Sequence, residues 1–375
     1  MVMVNNPLRV RDVHSKKISG MGRRRFLETL AGAGFTGAAA YLSIDDVKAA
    51  ATDEVPIVVG FRSDEPKESI DSMTPVVEYV PADWYNNLQE AREVQSQFEQ
   101  SIGEMGNVVG IGVEAGQAGG ENAAIRINVL PGQKSQMLGA IPESEQGVPV
   151  KISEAIPPQP GACNTGDFGD TIPGGVRGIS TSNSGAYGTL GSATIANGNR
   201  RFITAHHLYG RRNIRGESLF HPRKGDRIGE IVRTHCYDDF VLAAPRNGHW
   251  PTRRIEDARY PRVRGMFSRD GVTDLRRRGV RLKKVGCTSC LTSGEVKSAN
   301  YTLFSGYGCV PRDGQIRWGR GRQTFTDGDS GTMIYSRAPN GNNVSWVAGN
   351  AQWYQNNAVG GTSTWSINNK HGYTW

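Results

Sequence analysis

Beyond its first fifty positions the chain has no run of about 18 apolar residues, which argues against a membrane-spanning helix there. Acidic residues are scarce in the last part. Residues 161–375 carry 30 Lys/Arg against 15 Asp/Glu, whereas residues 52–160 carry 6 against 17. The formal net charge of +8 therefore hides a block of −11 followed by a block of +15. A division by segment points away from a generally nucleic-acid-binding surface. Aromatics are only 8% and few of them interleave with the arginines between Arg246 and Lys284. Base stacking lacks its platform there; a solvated basic face is the reading, with polyanion binding as the alternative. Cysteine is sparse too. Its five copies, Cys163, Cys236, Cys287, Cys290 and Cys309, all lie in the basic block.

What is abundant is glycine, with 48 residues, alongside 37% apolar residues over 375 positions. That length exceeds one ordinary small domain, and the composition favours many turns and β structure.

The N-terminal segment, residues 1–51, reads as an export signal. Arg23-Arg24-Arg25-Phe26-Leu27 opens a weakly apolar stretch of Ala, Gly and Leu that runs to about Leu42. It resembles a twin-arginine signal, and Ala49-Ala50-Ala51 suits a signal peptidase. An ordinary basic helix is the alternative. Export implies a secreted, extracytoplasmic protein that crosses the membrane already folded, without stable insertion. An oxidising compartment would pair the cysteines and leave one of the five over. Zinc held by Cys287-x-x-Cys290 with His235 or Cys236 is the weaker alternative.

Residues 52–156 form the acidic block. Trp84, Leu88, Ala91, Val94, Phe98 and Ile102 recur at helical spacing. Val108–Val113 and Ala123–Leu130 read as strands, and Val148–Ile152 as an edge strand that tolerates Pro149. A small α+β pro-domain or accessory domain is expected, ending in a stiff proline-rich linker at 157–162. From 163 to 375 short strands take over: Tyr187–Ala196, Phe202–Thr204, Ile228–Val232, Phe240–Ala244, Thr332–Tyr335 and Trp346–Ala351. Asn197-Gly198 between the first two is a hairpin turn. A mainly β, barrel-like domain without long helices is predicted.

Thr326-Asp327-Gly328-Asp329-Ser330-Gly331 places a serine between glycines, as a tight turn aiming backbone N–H groups at an oxyanion requires. A serine nucleophile needs a base. Phe202-Ile203-Thr204-Ala205-His206-His207 is a strand running into histidine, and Asp238-Asp239-Phe240-Val241-Leu242 puts a carboxylate before a buried strand.

These strings resemble the trypsin/chymotrypsin serine proteases of bacterial type, over roughly residues 180–355. Thr204-Ala205-His206-His207 matches the family's histidine motif and selects His207; the apolar run after the aspartate selects Asp239 over Asp238; Gly328-Asp329-Ser330-Gly331 matches the serine motif. The resemblance implies two six-stranded barrels with the site between them, and a secreted endopeptidase acting on protein or peptide substrates with no metal or organic cofactor. Ser330 would be nucleophile, His207 base and Asp239 its orienter, with the N–H groups of Gly328 and Ser330 as oxyanion hole. Thr324 would lie at the floor of the specificity pocket, and Gln352 and Trp353 on the substrate-lining strand. The family's cysteine after the histidine is Leu208 here. An internal arginine would stabilise Asp329. A catalytically silent binding module on the same frame is the alternative.

Overall fold

The computed structural model describes residues 54–63, 69–102, 107–115, 122–138, 141–154, 166–181, 186–210, 213–256, 258, 261–305, 309–339, 343–355 and 357–375. The expected export signal, the linker at 157–162 and Cys163 lie outside the described residues.

The first strands, β1 (Glu54–Arg62) and β2 (Thr74–Pro81), pair antiparallel, a hairpin not anticipated from the sequence. Helix α1 (Ala82–Ile102) follows and buries the expected stripe from Trp84 to Ile102. β3 (Val108–Ala115) and β4 (Ala123–Val129) pair antiparallel. After the short α2 (Lys134–Leu138) and β5 (Ser144–Glu145), β6 (Val148–Glu154) lies parallel to β4. Only the two-residue β5 flanks β6 on its far side, so Pro149 sits near the edge, where its missing N–H costs little.

Eight strands follow: β7 (Thr171–Gly174), β8 (Arg177–Ser180), β9 (Tyr187–Thr189), β10 (Thr194–Ala196), β11 (Asn199–Ala205), β12 (Ser218–Phe220), β13 (Arg227–His235) and β14 (Phe240–Pro245). All but β7 form a seven-stranded sheet in the order β10-β11-β14-β13-β12-β8-β9. It curls on itself, because Gly191 N donates to Ile203 O at 2.8 Å and Thr204 Oγ1 to Thr189 O at 2.8 Å. The single strand expected over Tyr187–Ala196 is instead split into β9 and β10. A Cβ on Gly191 would come within 2.5 Å of Ile203 Cγ2 and 2.9 Å of Met333 Sδ, so any larger residue there would force these side chains aside. The Asn197-Gly198 hairpin forms as expected, both residues having positive φ.

β15 (Trp250–Ile255), parallel to β7, leads to β16 (Val263–Phe267) and helix α3 (Arg269–Arg277). The Ser268 hydroxyl caps α3 by accepting from Gly271 N at 2.9 Å. β17 (Arg281–Gly286), β18 (Cys290–Leu303), β19 (Arg312–Trp318), β20 (Met333–Arg337), β21 (Ser345–Gln355) and β22 (Ala358–Ser363) then close a ring. Antiparallel ladders run β17-β18-β19-β22-β21-β20 and back to β17, a six-stranded barrel. Helix α4 (Thr364–His371) follows the last strand. The fold is mainly β, with two curled sheets in the basic block.

The acidic block is woven into the second barrel. β1 pairs with β16 through Gly60↔Phe267, β16 runs parallel to β21, and β3 pairs with β18 through Tyr301↔Gly112, giving one 13-stranded sheet. One core runs through both parts, with Val55, Leu88 and Phe98 in the same cluster as Leu275, Val296 and Trp346. Opposite charges meet there as well: Arg317 bonds Glu114, and Arg278 lies 3.4 Å from Glu78. Arg276 donates to Val113 O at 3.3 Å. Part of the arginine-rich stretch expected as a solvated face is thus turned inward. Among the described residues no helix is long and apolar enough to cross a membrane.

Candidate active site

β11 ends in a 3-10 turn, His206–Tyr209, which lifts His207 onto the rim of the first barrel with its ring half-buried. Asp239 closes a second 3-10 turn, Cys236–Asp238, and feeds β14. Since β11 and β14 are paired, the two residues meet. The Asp239 carboxylate accepts from His207 N at 2.9 Å through Oδ1 and bonds His207 Nδ1 at 2.8 Å through Oδ2, while Asp239 O accepts from His206 N at 3.1 Å. Asp239 has φ +51, a left-handed conformation that a non-glycine residue adopts at a cost. With Nδ1 committed to the carboxylate, Nε2 is the ring nitrogen left to accept a proton.

A further partner was not foreseen. Arg312, fully buried on β19 of the second barrel, donates through Nη1 to the same Asp239 Oδ2 at 2.8 Å and through Nε to Cys309 O at 2.9 Å. Burial would raise the Asp239 carboxyl, but Arg312 and then His207 outweigh it and hold it below the usual carboxylate range. Asp238 points elsewhere, to Lys370 Nζ at 2.6 Å and His371 Nε2 at 2.9 Å on α4. Its backbone carbonyl accepts from Gln352 Nε2 at 2.7 Å and Thr362 Oγ1 at 2.6 Å. A disulfide joins Cys236 to Cys309, beside Asp239 on one side and Arg312 on the other.

Ser330 sits on the turn between β19 and β20, flanked by Gly328 at φ +90 and Gly331 at φ +99. The turn abuts the end of β11: a Cβ on Gly331 would meet Thr204 Oγ1 at 2.5 Å and Ala205 N at 2.9 Å. Ser330 O accepts from Thr189 N at 2.8 Å, and Gly328 O from Thr189 Oγ1 at 2.6 Å. Among the described residues, neither the Gly328 nor the Ser330 N–H bonds a backbone carbonyl. Ser330 itself is fully buried, and its hydroxyl donates to Gln352 O at 3.2 Å. That is long for O–H···O, so the contact is weak.

Asp329 is held by a lysine, not by the arginine expected. Lys284 Nζ on β17 donates to Asp329 Oδ2 at 2.7 Å, with both side chains out of solvent. The carboxylate also accepts from Thr326 N at 3.0 Å, from Thr288 N and Ser289 N at 3.2 Å each, and from the Ser289 hydroxyl. Burial lowers the Lys284 ammonium against the pull of Asp329.

Of the residues expected to meet substrate, Gln352 lies beside Ser330 as just described. Thr324 is buried, its hydroxyl accepting from Arg320 N at 2.9 Å. The Trp353 indole turns inward: it donates to Gln315 Oε1 at 3.1 Å and packs with Val109, Tyr301 and Leu303. Cys290 is disulfide-bonded, and Cys287 is a buried free thiol that burial pushes up to about 12, so the two do not act together.

No family model and no curated protein matches the chain. Among the solved structures it matches are serine proteases. One is described as a glutamic acid specific serine protease that utilizes a novel histidine triad in substrate binding, at 19% identity, TM-score 0.38, covering 54% of this chain and 99% of that one. Cellulomonas bogoriensis chymotrypsin matches at 16% identity, TM-score 0.37, over 54% and 97%. The MamO protease domain from Magnetospirillum magneticum matches at 12% identity, TM-score 0.33, over 51% and 93%.

Proposed function

We propose that the chain is a serine endopeptidase, exported and acting on protein or peptide substrates. The observation that carries this reading is the doubly bonded His207–Asp239 pair set against the glycine-flanked Ser330 turn. In the proposed step the Ser330 hydroxyl rotates off the Gln352 carbonyl and gives its proton to His207 Nε2 as Oγ attacks the scissile carbonyl. The oxyanion that forms is met by the N–H groups of Gly328 and Ser330. His207 then returns the proton to the leaving amine, freeing the C-terminal product and leaving an acyl group on Ser330 Oγ. Water attacks that ester with His207 again as base, and the acid product leaves. Asp239 keeps the Nδ1 proton in place throughout.

The complete burial of Ser330 favours a second reading, a protease-like frame in which the serine is silent and the molecule only binds. A serine-directed fluorophosphonate separates the two. Stoichiometric label on Ser330, absent in His207→Ala, supports the peptidase; a folded parent that takes no label supports the silent module. The continuous sheet through residues 54–154 and the second barrel favours an accessory unit kept in the active molecule over a pro-domain that is cut away.

A further inference from the structure

Away from the triad, three arginines gather on one face of the first barrel. In the β11-β14-β13 ladder Leu242 pairs with Ile203 on one side and Arg233 on the other. Opposed residues share a face, and Arg201 lies two positions before Ile203, so Arg201 and Arg233 flank Leu242 on the same side. A register shift between Ile231 and Arg233 leaves Val232 as an extra residue, which lets Val232 and Arg233 both border one hollow. Arg215 approaches from the loop before β12. The C-terminal segment, bridged to β10 through Ile195↔Thr374, brings Tyr373 to the wall. The resulting pocket is about 160 Å³, with Arg201, Arg215, Arg233 and Tyr373 among its lining and Leu242 and Ala196 as apolar surface. That is several times the ~30 Å³ share of one water.

The charges in this pocket are not balanced. Among the described residues none of the three guanidiniums is paired with a carboxylate; nearby Glu230 is taken by Arg227 at 2.8 Å and Arg246 at 3.3 Å. Burial, then Arg233 and Arg246, lower the Arg201 guanidinium, so it feels other cations and no offsetting anion. Like charges drawn into one concave site repel unless something negative sits between them.

We propose that this pocket binds a tetrahedral oxyanion, the phosphate or sulfate group of a ligand. Three guanidiniums arriving from β11, β13 and a loop present more donors than the two oxygens of a carboxylate can use, and they match a group with three or four. The apolar surface at Leu242 and Ala196 would receive the carbon side of an ester. The site is independent of the triad, so it stands or falls apart from the peptidase reading.

Isothermal titration of the full chain with inorganic phosphate, at ionic strength held constant with chloride, tests it. Saturable binding is expected. Affinity should fall about tenfold or more in Arg201→Gln/Arg233→Gln, equivalent to ~1.4 kcal/mol or more. Arg215→Gln, an exposed loop change that leaves the sheet untouched, should weaken it as well. A parallel titration with sulfate distinguishes the sources: binding of both assigns the site to tetrahedral dianions generally, and binding of one alone names the group. No heat beyond that of added chloride, or unchanged affinity in both variants, overturns the proposal.

Discussion

A carboxylate oxygen that accepts from both an imidazole and a guanidinium divides its charge between them. Asp239 Oδ2 is so placed, 2.8 Å from His207 Nδ1 and 2.8 Å from Arg312 Nη1. In Arg312→Gln the whole carboxylate charge would face the imidazole and favour its protonated form. We expect the acid limb of the kcat/KM profile on a peptide substrate to move to higher pH, with Arg312→Lys intermediate. An unmoved limb in an active, folded variant would remove Arg312 from this role. Ser330→Ala and His207→Ala should abolish hydrolysis and leave the circular dichroism spectrum intact; residual activity within tenfold of the parent would sink the triad. Asp239→Asn should lose several orders of magnitude and Asp238→Asn far less, because Asp238 faces Lys370 and His371; the reverse ranking would reassign the orienting role. His207, Asp239 and Ser330 were legible because each sits in a short string whose neighbours set its local backbone. Arg312 and Lys284 were not, since each reaches its aspartate across 73 and 45 positions and looks like any other basic residue in a basic block.

Between elements, the contact of β2 with α3 carries its own pH dependence. Glu78 on β2 lies against Asp274 and Arg278 of the α3 region. Burial, and after it the hydrogen bond and charge of Asp274, push the Glu78 carboxyl up to about 7 against the pull of Arg278. A carboxyl raised in the folded state is most at home protonated. It therefore costs nothing below its unfolded value near 4.5, and it progressively destabilises the fold as pH rises through 7. Glu78→Gln should flatten the decline in thermal midpoint between pH 5 and 8 and raise stability at pH 8 by up to about 3 kcal/mol. A variant that tracks the parent at every pH would show that the pair titrates normally. The helix α1 was legible from one apolar stripe, whereas the β1–β2 hairpin was not. Its partner strand β16 lies some two hundred residues on, and pairing at that separation leaves no local periodicity.

At the scale of the whole molecule, the charge division between blocks was legible but its meaning was not. The ladders join the acidic block to β16 and to β18 of the second barrel in one sheet, a pairing that charge alone does not reveal. Residues 163–375 produced alone would expose both edges together with the apolar surface that Val55, Leu88 and Phe98 cover. That fragment is expected to aggregate or stay unfolded unless residues 52–160 are supplied. A soluble, fully active fragment inhibited by added 52–160 would instead make the acidic block a removable pro-domain.

The Cys236–Cys309 crosslink spans 73 residues, a closure that the chain-entropy account values at about 4 kcal/mol. It also fastens the two chain segments that carry Asp239 and Arg312. Thiols in a reducing cytosol stay open, and they close once a protein reaches an oxidising compartment. A chain that folds before export would thus travel with this staple unmade and acquire it on arrival. Protein kept reduced should hold its β spectrum yet hydrolyse peptide poorly until air or a disulfide oxidant restores it; equal activity in both forms would disconnect the crosslink from the site. Where the molecule is, rather than whether it has been cut, would then decide when it begins to work.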